Sequence, residues 1–211
     1  MSKTVAKIAL VDYGVGNLHS ARKGLEAMGA EVCISADPRV FESAAGVVLP
    51  GVGAFDAAVS RLVEMDLAAP LKELAARGKP LLGICLGMQV LFDSSEEGQQ
   101  PGLGILPGRV RRFQDEPDLT IPHMGWNRLH FDQPECLLWN GLPEGSWVYF
   151  VHSYYVEPVE KHDTAASTVH GTQRFSAAVA RGAVWAVQFH PEKSAQTGLH
   201  ILRNFIHLAS T

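Results

Sequence analysis

Cysteine is scarce in this chain: Cys33, Cys85 and Cys136 are the only three in 211 residues. An odd count with no Cys-x-x-Cys pair argues against a disulfide framework and for a reducing compartment. The nine histidines include no His-Glu-x-x-His run, so no metal site is expected. Long hydrophobic runs are missing too, and nothing approaches the roughly 20 consecutive apolar residues that span a bilayer. The opening Met1-Ser2-Lys3-Thr4-Val5-Ala6-Lys7 lacks an apolar core and a small-residue cleavage site, so no signal peptide is expected. Neither sign of charge dominates. The formal net charge is −4, with acids and bases interspersed, which gives no reason to expect nucleic acid or an anionic membrane as partner. What remains is the profile of a cytoplasmic protein, long enough for one domain with a sizeable core.

The first half alternates strand and helix signals. Residues 7–11 form a short apolar run. Asn17 can then cap a helix whose apolar face is Leu18, Ala21, Leu25 and Met28, stopping at Gly29. Strands are expected over residues 31–35 and 46–49, and helices over 55–65 and 67–77. Pro80-Leu81-Leu82-Gly83-Ile84 is a continuous apolar run, as for a strand buried on both faces. It breaks at Cys85-Leu86-Gly87, with a helix expected to continue through residues 88–92. Such alternation predicts a parallel sheet covered by helices. From about Gly102 the chain changes to short β-like runs at residues 108–113, 126–131, 147–156, 165–169, 177–180 and 183–189, read as antiparallel strands. Helical spacing returns at Leu199, Leu202, Phe205 and Leu208. Residues 93–102 read as a mobile surface loop.

Gly83-Ile84-Cys85-Leu86-Gly87 is the most informative segment. A nucleophile with glycine two residues to either side suits a sharp strand-to-helix turn that lifts it above the sheet edge. The following helix would set its positive end beside the sulfur, favouring a thiolate. The Leu86 N–H, a first-turn amide, would be free to donate to an oxyanion. For Cys33 and Cys136 nothing beyond a small apolar role is expected.

A cysteine hydrolase needs a base. His190 follows the run Val184-Trp185-Ala186-Val187-Gln188-Phe189 and should sit at a strand end, with Glu192 just past Pro191. If the chain stays extended there, residues i and i+2 share a side. Glu192 could then fix one imidazole nitrogen while the other faces Cys85. Alone, His-x-Glu is equally a surface turn. In a parallel sheet, however, strand ends gather at one edge, where sites of this kind are built.

Gly83-Ile84-Cys85-Leu86-Gly87-Met88-Gln89, Gln188-Phe189-His190-Pro191-Glu192 and Leu49-Pro50-Gly51-Val52-Gly53-Ala54-Phe55 together resemble the class I, or triad, glutamine amidotransferases over essentially the whole chain. The resemblance implies a single α/β domain over residues 1–211. Its sheet would be flavodoxin-like, parallel or mixed, flanked by helices, with additional antiparallel strands in the C-terminal half. It also implies a triad of Cys85, His190 and Glu192. An oxyanion hole would form from Val52, Gly53 and Leu86, and glutamine contacts would come from Gly51, Gly53, Gln89, Ser153 and Tyr154. The implied chemistry passes through a γ-glutamyl thioester, with no metal and no cofactor.

Val11-Asp12-Tyr13-Gly14-Val15-Gly16-Asn17-Leu18, Pro122-His123-Met124-Gly125-Trp126-Asn127 and Phe150-Val151-His152-Ser153-Tyr154-Tyr155 are most similar to the glutaminase subunits of imidazole glycerol phosphate synthases in histidine biosynthesis. That similarity implies a heterodimer with a TIM-barrel cyclase subunit that receives the ammonia. It also implies that His123 and Trp126 shape core or interface and do no chemistry. The chain ends about one helix beyond Glu192, so no second domain is expected within it to use the ammonia. Other readings stay open. The chain could serve a pyridoxal phosphate, anthranilate or purine synthase, act as a peptidase or γ-glutamyl hydrolase, or be a noncatalytic subunit on the same scaffold.

Overall fold

A computed structural model describes residues 5–211. The first four residues of the expected 1–211 domain, and with them most of the segment read for a signal, lie outside the described residues. The N-terminal half follows the alternation in its sequence. Strand β1 (Lys7–Val11) leads to α1 (Leu18–Ala27), then β2 (Glu31–Ser35), α2 (Pro38–Ser43) and β3 (Gly46–Gly51). Helices α3 (Phe55–Glu64) and α4 (Ala68–Ala76) precede β4 (Leu81–Cys85) and the single turn α5 (Leu86–Gln89). Asn17 caps α1 by accepting the Ser20 N–H, and Gly29 closes it at φ +90°, where only glycine is unstrained. Helix α2, for which the sequence reading made no provision, starts at an Asp37-Pro38 pair. Asp37 accepts the Arg39 N–H, and Pro38 occupies the first turn, where no amide is needed.

The second half is strand-rich: β5 (Ser94–Ser95), β6 (Gly108–Arg112), β7 (His123–Arg128), β8 (His130–Phe131), β9 (Trp147–His152), β10 (Tyr154–Pro158), β11 (Thr164–His170), β12 (Gln173–Arg181) and β13 (Val184–Val187). Helix α6 (Ala195–Ala209) completes it. One sheet runs in the order β2-β1-β3-β4-β13-β12-β10-β6-β5, with β11 paired to β12 and β8 to β11. The first five strands are mutually parallel, whereas β12, β10 and β6 pair antiparallel. The run expected at 183–189 among the antiparallel strands is therefore the junction. It is parallel to β4 on one side and antiparallel to β12 on the other. Strands β7 and β9 form a separate two-stranded sheet.

The inner parallel strands β1, β3, β4 and β13 read as largely apolar runs because both their faces are covered, whereas the edge strand β2 is part-exposed. In β1, Ile8 and Leu10 pack with Ala21 and Leu25 of α1 and Leu202 and Phe205 of α6. Ala9 and Val11 face the opposite cluster, with Phe55 and Leu62 of α3 and Leu71 of α4. This double burial fixes the sheet register. Residues 93–102 are not a loose loop. Ser94 and Ser95 pair with β6, Glu97 accepts the Phe55 N–H, and Asp56 accepts the amides of Gln99 and Gln100. These bonds fasten the segment to the start of α3, beside the strand edge where the site lies.

Candidate active site

Three neighbouring parallel strands, β3, β4 and β13, end at the same edge, and Gly51 lies opposite Cys85 in their register. Cys85 closes β4 at φ +56° and ψ −113°, a left-handed conformation that costs a side-chain-bearing residue about 1–3 kcal/mol. The packing that sustains it depends on Gly87, where a Cβ would run into the Leu49 carbonyl oxygen of β3. The thiol therefore stands at the head of the strand, 7% exposed.

The expected helix over residues 88–92 shrinks to one turn. Beyond Gln89 the bonds tighten to Leu91 N–H to Met88 and Phe92 N–H to Gln89, after which the chain turns away. A single turn has little macrodipole. Support for a thiolate must come from individual donors.

His190 follows β13 and is 2% exposed. Its Nδ1 bonds Glu192 Oε1 at 2.8 Å. The extended geometry expected for this pair is not what joins them: residues Pro191–Lys193 form a 3-10 turn, initiated by proline at its first position. The turn folds Glu192 back beneath the ring. Ser194 anchors the arrangement, donating to the His190 carbonyl at 2.7 Å and accepting the Tyr149 N–H of β9 at 2.9 Å. His190 Nε2 is buried with no hydrogen bond of its own. The Cys85 sulfur lies close enough to act on its basicity, though outside bonding geometry in this state. Burial pushes the imidazole down, but the nearby Cys85 sulfur and the hydrogen bond and charge of Glu192 overcome it and hold His190 at about 9.

A cleft of about 270 Å³ opens over this edge, and its lining includes Cys85, His190, Leu86, Val52, Gly53, Ser153, Tyr154 and Gln89. The sequence reading did not single out Glu97, Val151 and His152, which also line it. Two larger clefts, of about 710 and 590 Å³, run along β6–β10–β12 and around residues 101–106, and neither is lined by cysteine or histidine. Val52 and Gly53 lie beyond the end of β3, and within the described residues their N–H groups bond no backbone carbonyl. Gly53 stands at φ +100° with open space around it. Gly51, buried in β3, does not line this cleft, but it borders a small cavity with Val52, His190 and Glu192. Gln89 lines the cleft, but its amide nitrogen is committed to the Tyr154 carbonyl and to Gln188 Oε1, both at 3.0 Å. Tyr13 was also missed. Its buried hydroxyl donates to the Pro50 carbonyl at 2.8 Å, and burial together with the Cys85 charge pushes its ionisation well above the usual tyrosine range.

A strained cysteine, an imidazole oriented by a carboxylate and free amides at one cleft form a nucleophile, a proton carrier and an oxyanion site in the arrangement of a cysteine acyl transferase. Residues 9–209 match the family Glutamine amidotransferase class-I. The chain belongs to the class-I glutamine amidotransferases. Among these amidotransferases it is 65% identical over 204 residues to the imidazole glycerol phosphate synthase subunit HisH of Gloeobacter violaceus, covering 97% of this chain and 90% of that one. It is 60% identical to the protein of the same name from Synechococcus elongatus, covering 95% and 92%. In three dimensions it superposes on the structure of PurLQS from Thermotoga maritima with a TM-score of 0.76 at 19% identity, over 97% of this chain and 99% of that one. At that identity the likeness speaks for the class-I amidotransferase fold alone.

Proposed function

We propose that this amidotransferase is the glutaminase subunit of an imidazole glycerol phosphate synthase, hydrolysing glutamine to glutamate and ammonia for a cyclase subunit in histidine biosynthesis. The observation that carries the reading is Cys85, raised on a strained turn beside the His190–Glu192 pair, in a chain 65% identical to a relative of that name. The domain is taken as the whole chain, residues 1–211, acting in the cytoplasm. None of its described helices is long and apolar enough to cross a membrane.

In this mechanism the Cys85 sulfur attacks the side-chain amide carbon of glutamine, and the carbonyl oxygen becomes an oxyanion held by the amides of Val52, Gly53 and Leu86. With its basicity raised, His190 carries the proton at neutral pH and delivers it to the departing nitrogen. The C–N bond breaks, ammonia leaves, and a γ-glutamyl thioester remains. His190 then takes a proton from water, which attacks the thioester; glutamate departs and the sulfur is restored. Glu192 holds the ring and balances its charge throughout. Ser153, Tyr154, Gln89 and Gly53, which all line the cleft, would hold the glutamine backbone groups. Gly51 would act from β3 by shaping the floor. The scheme invokes no cofactor or metal.

The partner is read as a TIM-barrel cyclase subunit in a heterodimer. Supporting it, Met124 and Trp126 on β7 and Trp147 on β9 are exposed on the small sheet next to the cleft, an apolar patch of the kind that marks an interface. The test is glutamate release from glutamine by wild type and Cys85→Ala, with and without the cyclase subunit and its nucleotide ligand. Turnover that rises with the partner and vanishes in the variant is expected. Absence of turnover from folded protein bound to that partner would overturn the reading, and failure to bind it would redirect the assignment to another synthase.

A further inference from the structure

Gln188 is fully buried beside the nucleophile and two residues before the base, yet the mechanism above gives it no task. Its Nε2 lies 3.8 Å from Cys85 Sγ. Which end of a buried amide faces the sulfur decides everything, and the surrounding bonds determine it. The Tyr154 carbonyl can only accept. Gln89, bonded to it, must therefore present nitrogen there. The second hydrogen of that nitrogen points at Gln188, which must answer with oxygen. Gln188 is left with its N–H groups toward the sulfur.

The same logic runs backward from Tyr154. His152 Nδ1 donates to this carbonyl at 2.8 Å, so its Nε2 accepts from His123 Nδ1 at 3.1 Å. His123 Nε2 accepts in turn from Asn127, whose amide nitrogen also donates to the Val169 carbonyl. Two backbone carbonyls thus impose one direction on the whole buried chain. The two rings stay neutral, as their burial already favours: His123 is pushed down to about 4 and His152 to about 3.

Other donors to the sulfur are few. The turn after Cys85 is too short for a useful dipole, and Tyr13 commits its proton to Pro50. We propose that Gln188 is a further functional residue of the site, donating an amide N–H to the Cys85 thiolate in an orientation fixed by Gln89 and the Tyr154 carbonyl, with His152 and His123 as positioning residues behind them. The proposal rests on reading Cys85 as the nucleophile.

Iodoacetamide alkylation tests it without glutamine. The rate at Cys85 is followed against pH by mass spectrometry of its peptide, with Cys33 and Cys136 as internal references. Titratable groups near the sulfur are His190, Tyr13, His152 and, at the rim, Glu97, and none of them is altered by the substitutions. Gln188→Met retains length and removes the donor. The Cys85 profile should be displaced upward by about one pH unit, so that the thiol reacts up to about tenfold more slowly on the rising limb, as for loss of one charge-assisted hydrogen bond. Gln188→Glu, which offers only acceptors, should slow it further. A folded Gln188→Met with the wild-type profile overturns the proposal. If neither variant folds, Gln89→Met, which frees the Gln188 amide to turn, decides the question: slower alkylation at Cys85 supports the proposal and an unchanged profile overturns it. Wild-type Cys85 that reacts no faster than Cys33 would overturn the nucleophile assignment, and the proposal with it.

Discussion

Cys85 and His190 face one cleft from adjacent parallel strands, yet opposite means hold them. Cys85 is placed by packing: a strained backbone, a glycine two residues on, and the carbonyl wall of β3. His190 is placed by hydrogen bonds, to Glu192 through the ring and to Ser194 through the backbone. A position set by packing cannot be adjusted without moving a strand. One set by hydrogen bonds can lose its tuning while the fold survives. The nucleophile side should therefore fail as a structure and the base side as chemistry.

Gly87→Ala should have the largest effect. Its Cβ meets the Leu49 carbonyl, and relief requires β3 to shift, so a loss of about 3 kcal/mol in denaturant unfolding and near-complete loss of turnover are expected. Full stability in this variant would break the comparison. Glu192→Gln should keep the fold but lower kcat roughly a hundredfold, with a smaller change in KM, because the ring loses its partner.

That substitution also reads out pH. The His190 value is raised above the ordinary histidine value of 6.5 to about 9, so its contribution to stability is fully present below pH 6.5 and is lost as pH rises through about 9. The difference in unfolding free energy between wild type and Glu192→Gln should shrink across that window. His123 and His152 behave oppositely. Burial depresses both, so the fold loses stability as pH falls below about 6.5 toward their low values. Ser194→Ala should cost about 1–3 kcal/mol, since it strands the half-buried Tyr149 N–H, and should reduce kcat several-fold. At the bottom of the scale, Arg22→Ala breaks an exposed pair with Glu26 and should change melting by less than about 0.5 kcal/mol and turnover not at all.

The two halves of the chain also differ in how openly the sequence states them. The inner parallel strands were legible because double burial writes them as largely apolar runs between glycines and caps. Strand 183–189 was visible as a strand, but its mixed pairing was not, since no local pattern tells a strand which neighbours it will have. The Cys85 turn was legible because its glycines serve a local steric need. The His190–Glu192 contact was expected from extended geometry and arises from a 3-10 turn, because Pro191 is as well suited to start a turn as to stiffen a strand. Gln188, Tyr13 and His152 escaped notice for a common reason. A single polar side chain shows its purpose only when folding supplies partners 29 to 103 residues away.

The central claim is that Cys85 forms a covalent link to glutamine with His190 as proton carrier. Acid quenching of the complex during turnover, followed by mass spectrometry of the Cys85 peptide, tests it most directly. The account predicts a γ-glutamyl adduct on Cys85 that accumulates in wild type, disappears when quenching follows glutamine exhaustion, and never forms in Cys85→Ala. Glutamate production at the wild-type rate by Cys85→Ala, with no adduct on any cysteine, would contradict it.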